Sequence, residues 1–214
     1  MNRIFAIGDI HGCLADLRRL IRHISADPQS DTLILLGDYI DRAPGGRGVV
    51  DYILRLREDF QKVLCLCGNH ESMLLDYLDG GNEDLYLANG GAQTLNAYGI
   101  SRHDGPHARR AKIPKAHLRF FESLLPYYET DQYIFVHAGL LPGLPLADQD
   151  IQDLQWIRRT FIDSEYDFGK RIIFGHTRFA APLVTANKIG IDTGAVYGGK
   201  LTCVELPALK FYQG

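Results

Sequence analysis

An aspartate and a histidine stand one residue apart in Gly8-Asp9-Ile10-His11-Gly12, directly after the apolar run Ile4–Ile7. The arrangement returns twice. Leu33–Leu36 is followed by Gly37-Asp38 with Asp41-Arg42 close behind, and Val63–Cys67 by Gly68-Asn69-His70-Glu71. Two later apolar runs end in His137-Ala138-Gly139 and Gly175-His176-Thr177. Imidazole, carboxylate and amide oxygen together suit Mn²⁺, Fe or Zn²⁺ better than an all-oxygen Ca²⁺ site. They are too many for one small ion, so two are indicated. Each motif has a plain reading when taken alone. Gly-Asp-x-His is commonly a turn with a solvated polar pair, Asn69 could cap a helix, and a single strand-end histidine usually finds a local hydrogen bond. Five such endings in one chain, holding four of its eight histidines, are not accounted for that way.

Groups so far apart in sequence converge only if the elements beneath them are ordered. Arg3–Gly8, Thr32–Gly37 and Val63–Cys67 read as buried strands. Between them Leu14, Leu17, Leu20, Ile21 and Ile24, then Val49, Val50, Ile53, Leu54 and Leu56, fall at helical spacing. Strand–helix–strand–helix–strand favours parallel pairing, and open α/β sheets collect ligands outside the carboxyl ends of their strands. Residues 71–130 read as a mostly helical insertion, including a turn and short helix over Asn89–Gly99, a helix opening near Pro114, and a polar, basic loop at Arg102–Lys112. Strands return at Gln132–His137 and Arg171–Gly175, with a helix around Gln149–Ile162 between them. Hairpins follow at Leu183–Asp192 and Lys200–Tyr212. The expectation is an α/β fold of two sheets packed face to face with helices outside, in one domain over residues 1–214.

The chain has 214 residues, 46% of them hydrophobic, and a net charge of −3. That size supports a self-sufficient core, so a metal would do chemistry rather than hold the fold. The charge gives no general attraction to nucleic acid or to anionic membranes. No apolar stretch approaches the ~20 residues of a membrane span, and Met1–Ile4 runs into a strand without the marks of a leader. Cys13, Cys65, Cys67 and Cys203 lack zinc-site spacing and read as reduced packing residues. A cytoplasmic location is expected.

In order and spacing, GDIHG, GDYIDR, GNHE, HAG and GHT resemble the calcineurin-like metallophosphoesterases, most closely the small bacterial and phage phosphoprotein phosphatases. Ile191–Leu206 looks like that family's closing strands. The resemblance implies a four-layer α/β/β/α sandwich of two mixed sheets. It also implies two divalent ions, Mn²⁺ first with Fe or Zn²⁺ as alternatives, held by Asp9, His11, Asp38, Asn69, His137 and His176. Asp38 would bridge the ions, and a hydroxide activated between them would attack phosphorus in line. By the same resemblance His70 is the general acid and Asp41 its orienting carboxylate. Arg42 and Arg158 grip the phosphate beside Asn69, with Arg159 as the fallback for Arg158.

Three substrate readings follow. The first is a Ser/Thr protein phosphatase, the second a symmetrical dinucleoside polyphosphate (diadenosine tetraphosphate) hydrolase, the third a metal-dependent binding protein without turnover. Asp41-Arg42, Glu71, Asn89-Gly90-Gly91 and Trp156-Ile157-Arg158 favour the first. The hydrolases more often carry Ala-Arg and His-Asp at the first two places. Ala43-Pro44-Gly45-Gly46 echoes the second, and the basic Arg102–Lys112 loop could meet its extra phosphates. The partner is then a phosphorylated protein or peptide, or a small phosphoester or dinucleotide.

Overall fold

The structure is a computed structural model that describes residues 3–214. Met1 and Asn2, part of the N-terminal reading, lie outside the described residues. Strand β1 (Ile4–Ile7) pairs in parallel with β2 (Thr32–Leu35), and β2 with β3 (Val63–Cys65). Helices α1 (Leu14–His23) and α2 (Gly46–Asp59) make the crossovers. Between β3 and the edge strand β4 (Tyr127–Glu129) run α3 (Asn69–Leu78), α4 (Glu83–Ala88), α5 (Ala92–Tyr98), α6 (Pro106–Lys112) and α7 (Lys115–Glu122). The second half comprises β5 (Tyr133–Val136), α8 (Ile151–Trp156), α9 (Arg159–Ile162), β6 (Arg171–Phe174), β7 (Leu183–Val184), β8 (Lys188–Gly190), β9 (Thr202–Leu206) and β10 (Lys210–Gln213). Strand order is β10-β9-β1-β2-β3 in one sheet and β4-β5-β6-β8-β7 in the other. Both sheets are mixed.

The two-residue period of the strands sorts their side chains into layers. Ala6, Ile34 and Leu36 point from the first sheet into an inner core, where they meet Phe135, Ile173 and Ile189 of the second. Phe5, Ile7, Leu33 and Leu35 face the other way, onto Leu17 and Leu20 of α1 and Val49, Val50 and Ile53 of α2. On the far side Ile134, Val136, Ile172 and Phe174 pack on Leu154 and Phe161 of α8 and α9. The layers are therefore helix, sheet, sheet, helix, as expected.

Three boundaries differ from the sequence reading. Most of the expected loop at Arg102–Lys112 is α6, opened by Pro106 in its first turn, where a missing N–H costs nothing. Its basic residues are paired within the protein. Arg109 is buried, donates to Tyr77 O at 2.8 Å and meets Glu83 at 3.1 Å. Arg110 clasps Asp79 with two nitrogens at 2.7 and 2.9 Å, and Glu122 at 2.8 Å. Secondly, the helical stretch begins at Asn69, and its expected end at residue 130 overruns β4. Thirdly, the helix expected over Gln149–Ile162 is two short ones. The chain breaks at Arg158, whose φ of −131° and ψ of −103° are not helical.

Candidate metal centre

The strand ends present their polar groups through an uncommon backbone. Among the described residues six non-glycine positions have positive φ, and five of them are His11, Asp38, Asp41, Arg42 and His176. Such conformations cost free energy and concentrate where a site demands them. Gly37, at φ +110°, is required outright: a Cβ there would stand 2.6 Å from Gly68 N and 2.8 Å from His137 Nδ1. At Gly175 a Cβ would fall 2.2 Å from Asp9 Oδ1, so its role is to admit that carboxylate.

Asp38 lies at the middle. Its Oδ2 is 3.2 Å from His11 Nε2 and 3.9 Å from His70 Nε2, while Oδ1 is 3.4 Å from His137 Nε2. Two buried ligand clusters result, His11–Asp38–His70 and Asp38–His137–His176, with Asp38 common to both. The rings are aimed by their other nitrogens: His11 Nδ1 is 2.9 Å from Ile40 O, and His137 Nδ1 is 2.9 Å from Leu36 O. Asn69 Oδ1 lies 3.1 Å from His137 Nε2. Asp9 stands beside the second cluster rather than within the first, both its oxygens accepting from the His176 N–H at 3.0 and 3.1 Å.

The cations expected of these residues fit. Nε2 of His176 is buried without any hydrogen-bond partner, although such groups are normally satisfied. Burial pushes the His176 imidazole down to about 2, leaving it neutral with a free lone pair. The carboxylates carry the complementary strain. Burial, reinforced by Asp192 and Asp38, drives Asp9 well above the usual range, and burial beside Asp38 takes Glu71 to about 8. Asp38 alone goes the other way. Burial opposes its charge, but the imidazoles of His137, His70 and His11 outweigh it and hold the group well below the ordinary value. Buried carboxylates and imidazoles crowded around one shared aspartate are what a divalent cation relieves.

His70 Nδ1 lies 2.7 Å from Asp41 Oδ2, and both side chains are fully buried. Arg42 reaches the first cluster, its Nη1 2.5 Å from His11 Nε2. Arg158, freed from helical geometry by the break before α9, turns onto the site and donates to His176 O at 3.1 Å and to Thr177 Oγ1 at 3.3 Å. Arg159 points away: its side chain is 90% exposed, with only Asp163 near, at 3.7 Å.

Further side chains complete the site. Glu71 accepts from the N–H groups of Asp38 (2.9 Å), Tyr39 (2.8 Å) and Gly68 (3.1 Å), and so fixes the turn that carries Asp38. Its signal was legible, an acid three residues after a helix-opening position; it is Gly68, not Asn69, that caps α3. Asp192 is buried near Asp9 and follows the apolar run Ile189–Ile191 as Asp38 follows its own strand, which could have marked it. Tyr86 and Thr94, both hydrogen-bonded to Asp41, carry no such signal.

Residues 2–180 match the calcineurin-like phosphoesterase family. A serine/threonine-protein phosphatase 1 of Salmonella typhimurium is 31% identical, aligned over 96% of this chain and 92% of its own. An asymmetrical bis(5'-nucleosyl)-tetraphosphatase PrpE of a Geobacillus species is 27% identical over 97% and 92%. Among solved structures, that of a candidate diadenosine tetraphosphatase superposes with a TM-score of 0.76 at 24% identity, covering all of this chain and 93% of the other; a yeast protein serine/threonine phosphatase gives 0.66 at 16%, over 96% and 72%. With the sandwich, the strand-end ligands and a match over most of its length, this chain belongs to the calcineurin-like phosphoesterases.

Proposed function

We propose that the protein hydrolyses phosphomonoesters on serine or threonine side chains of proteins. The observation that carries a hydrolytic role is the buried His70–Asp41 pair, whose unpartnered Nε2 opens toward the Asp38 clusters. Asp9, His11, Asp38, Asn69, His137 and His176 are the residues that would hold two divalent ions, Mn²⁺ first. When bound, the ions supply Lewis acidity toward water and the phosphate oxygens. Arg42 and Arg158, with the Asn69 amide, bind and orient the phosphate. As a water oxygen bonds to phosphorus, losing its proton to solvent, and the P–O bond to the substrate breaks, His70 Nε2 gives its proton to the departing alkoxide, and Asp41 at Nδ1 favours the imidazolium form that can do so.

Two observations support a monoester over a polyphosphate. The Salmonella relative bears the name of a protein phosphatase. The basic segment that could have met extra phosphates spends Arg109, Arg110 and Lys112 on Glu83, Asp79, Glu122 and Asp104. The second reading, dinucleoside tetraphosphate cleavage, has the PrpE relatives in its favour. The deciding experiment offers the Mn²⁺-loaded protein a phosphoserine peptide and diadenosine tetraphosphate in parallel. Phosphate release from the peptide with the dinucleotide intact is the expected result. Rapid nucleotide cleavage with the peptide untouched would replace the proposal, and the products would tell symmetrical (two ADP) from asymmetrical (ATP and AMP) attack. Failure on both, with metal bound, would favour a binding role.

Two further outcomes are expected of this site. Arg158→Ala should lower kcat/KM about tenfold or more, the size of a charge-assisted contact, whereas Arg159→Ala stays within about twofold as an exposed pair does. Equal losses would remove Arg158 from the phosphate site. Chelation should silence the enzyme reversibly and lower Tm by only about 5–10 °C, as binding linkage of a few kcal/mol predicts for a chain of this size. Unfolding in EDTA would show the metal to be structural.

A further inference from the structure

His70 is not the only side chain that holds Asp41. Oδ2 faces the imidazole, while Oδ1 takes the hydroxyl of Thr94 at 2.5 Å and that of Tyr86 at 2.9 Å. Thr94 Oγ1 also accepts the Asp41 backbone N–H at 3.0 Å. That contact uses one of its two lone pairs, and its single proton is donated to Oδ1. Burial keeps the Tyr86 phenol protonated, and Asp41 is its acceptor. Tyr86, Thr94 and Asp41 are all removed from water, so no solvent competes for these bonds.

Both hydroxyls come from the helical segment, not from the strand ends. Thr94 sits on α5, which is tied at its other end by Tyr98 Oη to His117 Nδ1 (2.8 Å) and by His117 Nε2 to Asp51 of α2 (2.9 Å). Asn89-Gly90-Gly91 lies at the junction. Gly90 O accepts the Arg42 N–H at 3.2 Å, and a Cβ on Gly91 would stand 2.7 Å from the Tyr86 ring. The glycine pair lets α4 and α5 close onto Asp41-Arg42.

From this we infer that Thr94 and Tyr86 are positioning residues for the leaving-group proton: by filling Oδ1 of Asp41 they hold Oδ2 for His70. The helical segment thereby sets the acid step as well as covering the strand ends. The inference rests on the reading of His70 as the general acid, and the test separates the two.

Turnover of p-nitrophenyl phosphate, whose leaving group needs little protonation, is compared with that of phenyl phosphate, whose leaving group needs much. His70→Asn serves as reference. Thr94→Val should lower kcat about tenfold on phenyl phosphate and no more than about threefold on the nitrophenyl ester, a part of the full acid effect. KM should hold and Thr94→Ser should restore the rate. Tyr86→Phe should act in the same direction and less, and it keeps the question open to test if Thr94→Val does not fold. In the metal-free protein, the downfield proton resonance of the buried His70 Nδ1–H, identified by its loss in His70→Asn, should move in Thr94→Val and return in Thr94→Ser. Equal losses on both esters, serine no better than valine, or an unmoved resonance would overturn the positioning role. If His70→Asn itself shows no leaving-group dependence, the acid assignment falls. If it does and the hydroxyl variants do not, only the positioning role is lost.

Discussion

Asp38→Asn is expected to reduce turnover to background while leaving the fold in place. Asp38 is the one residue that both ligand clusters share, with one oxygen toward His11 and the other toward His137. An asparagine removes the charge and turns one of those oxygens into an amide donor facing an imidazole lone pair. It suits the backbone, because Asn adopts the left-handed conformation (φ 52° here) more readily than most residues. Loss of activity through unfolding is therefore not the expected route. Metal analysis should find fewer than two ions per chain, and Tm in chelator should stay within a few degrees of the parent, as for a substitution that creates no cavity. A variant with two tightly held ions and full activity would end the shared-carboxylate account.

How much of this centre could be read in advance depended on distance along the chain. Asp9, His11, Asp38, Asn69, His70, His137 and His176 announced themselves because each follows an apolar run that can only be a buried strand, and parallel strands bring such ends together. The parallel pairing of β1, β2 and β3 followed from the same alternation. The broken helix at Arg158 was not legible, since Gln149–Ile162 keeps plausible helical spacing and the break is fixed by contacts to His176 and Thr177. Nor was α6. Its Gly105-Pro106 and run of cations read locally as a solvated loop, and the acids that neutralise it, Asp79, Glu83 and Glu122, lie up to 31 residues away. Thr94 and Tyr86 are ordinary residues on ordinary helices. Only the closure of those helices onto Asp41 gives them a role.

The other large effect concerns the proton. His70→Asn should cost about 10²–10⁴ in rate, the range of a general acid, and Asp41→Asn a comparable amount. The two should not add, because they serve one proton transfer: the double variant is expected to be little worse than either single one. Metal content decides what a loss means. The His70 backbone N–H reaches Asp38 Oδ1 at 3.3 Å and survives any change of side chain. Its Nε2, however, falls in the first ligand cluster, 3.9 Å from Asp38 Oδ2. If His70→Asn retains both ions and its deficit is greatest with poor leaving groups, the imidazole is the acid. If an ion is lost and the deficit is the same for every ester, Nε2 is a ligand. Asp41, with Thr94 and Tyr86 behind it, would then be aiming a metal-binding ring rather than a proton donor.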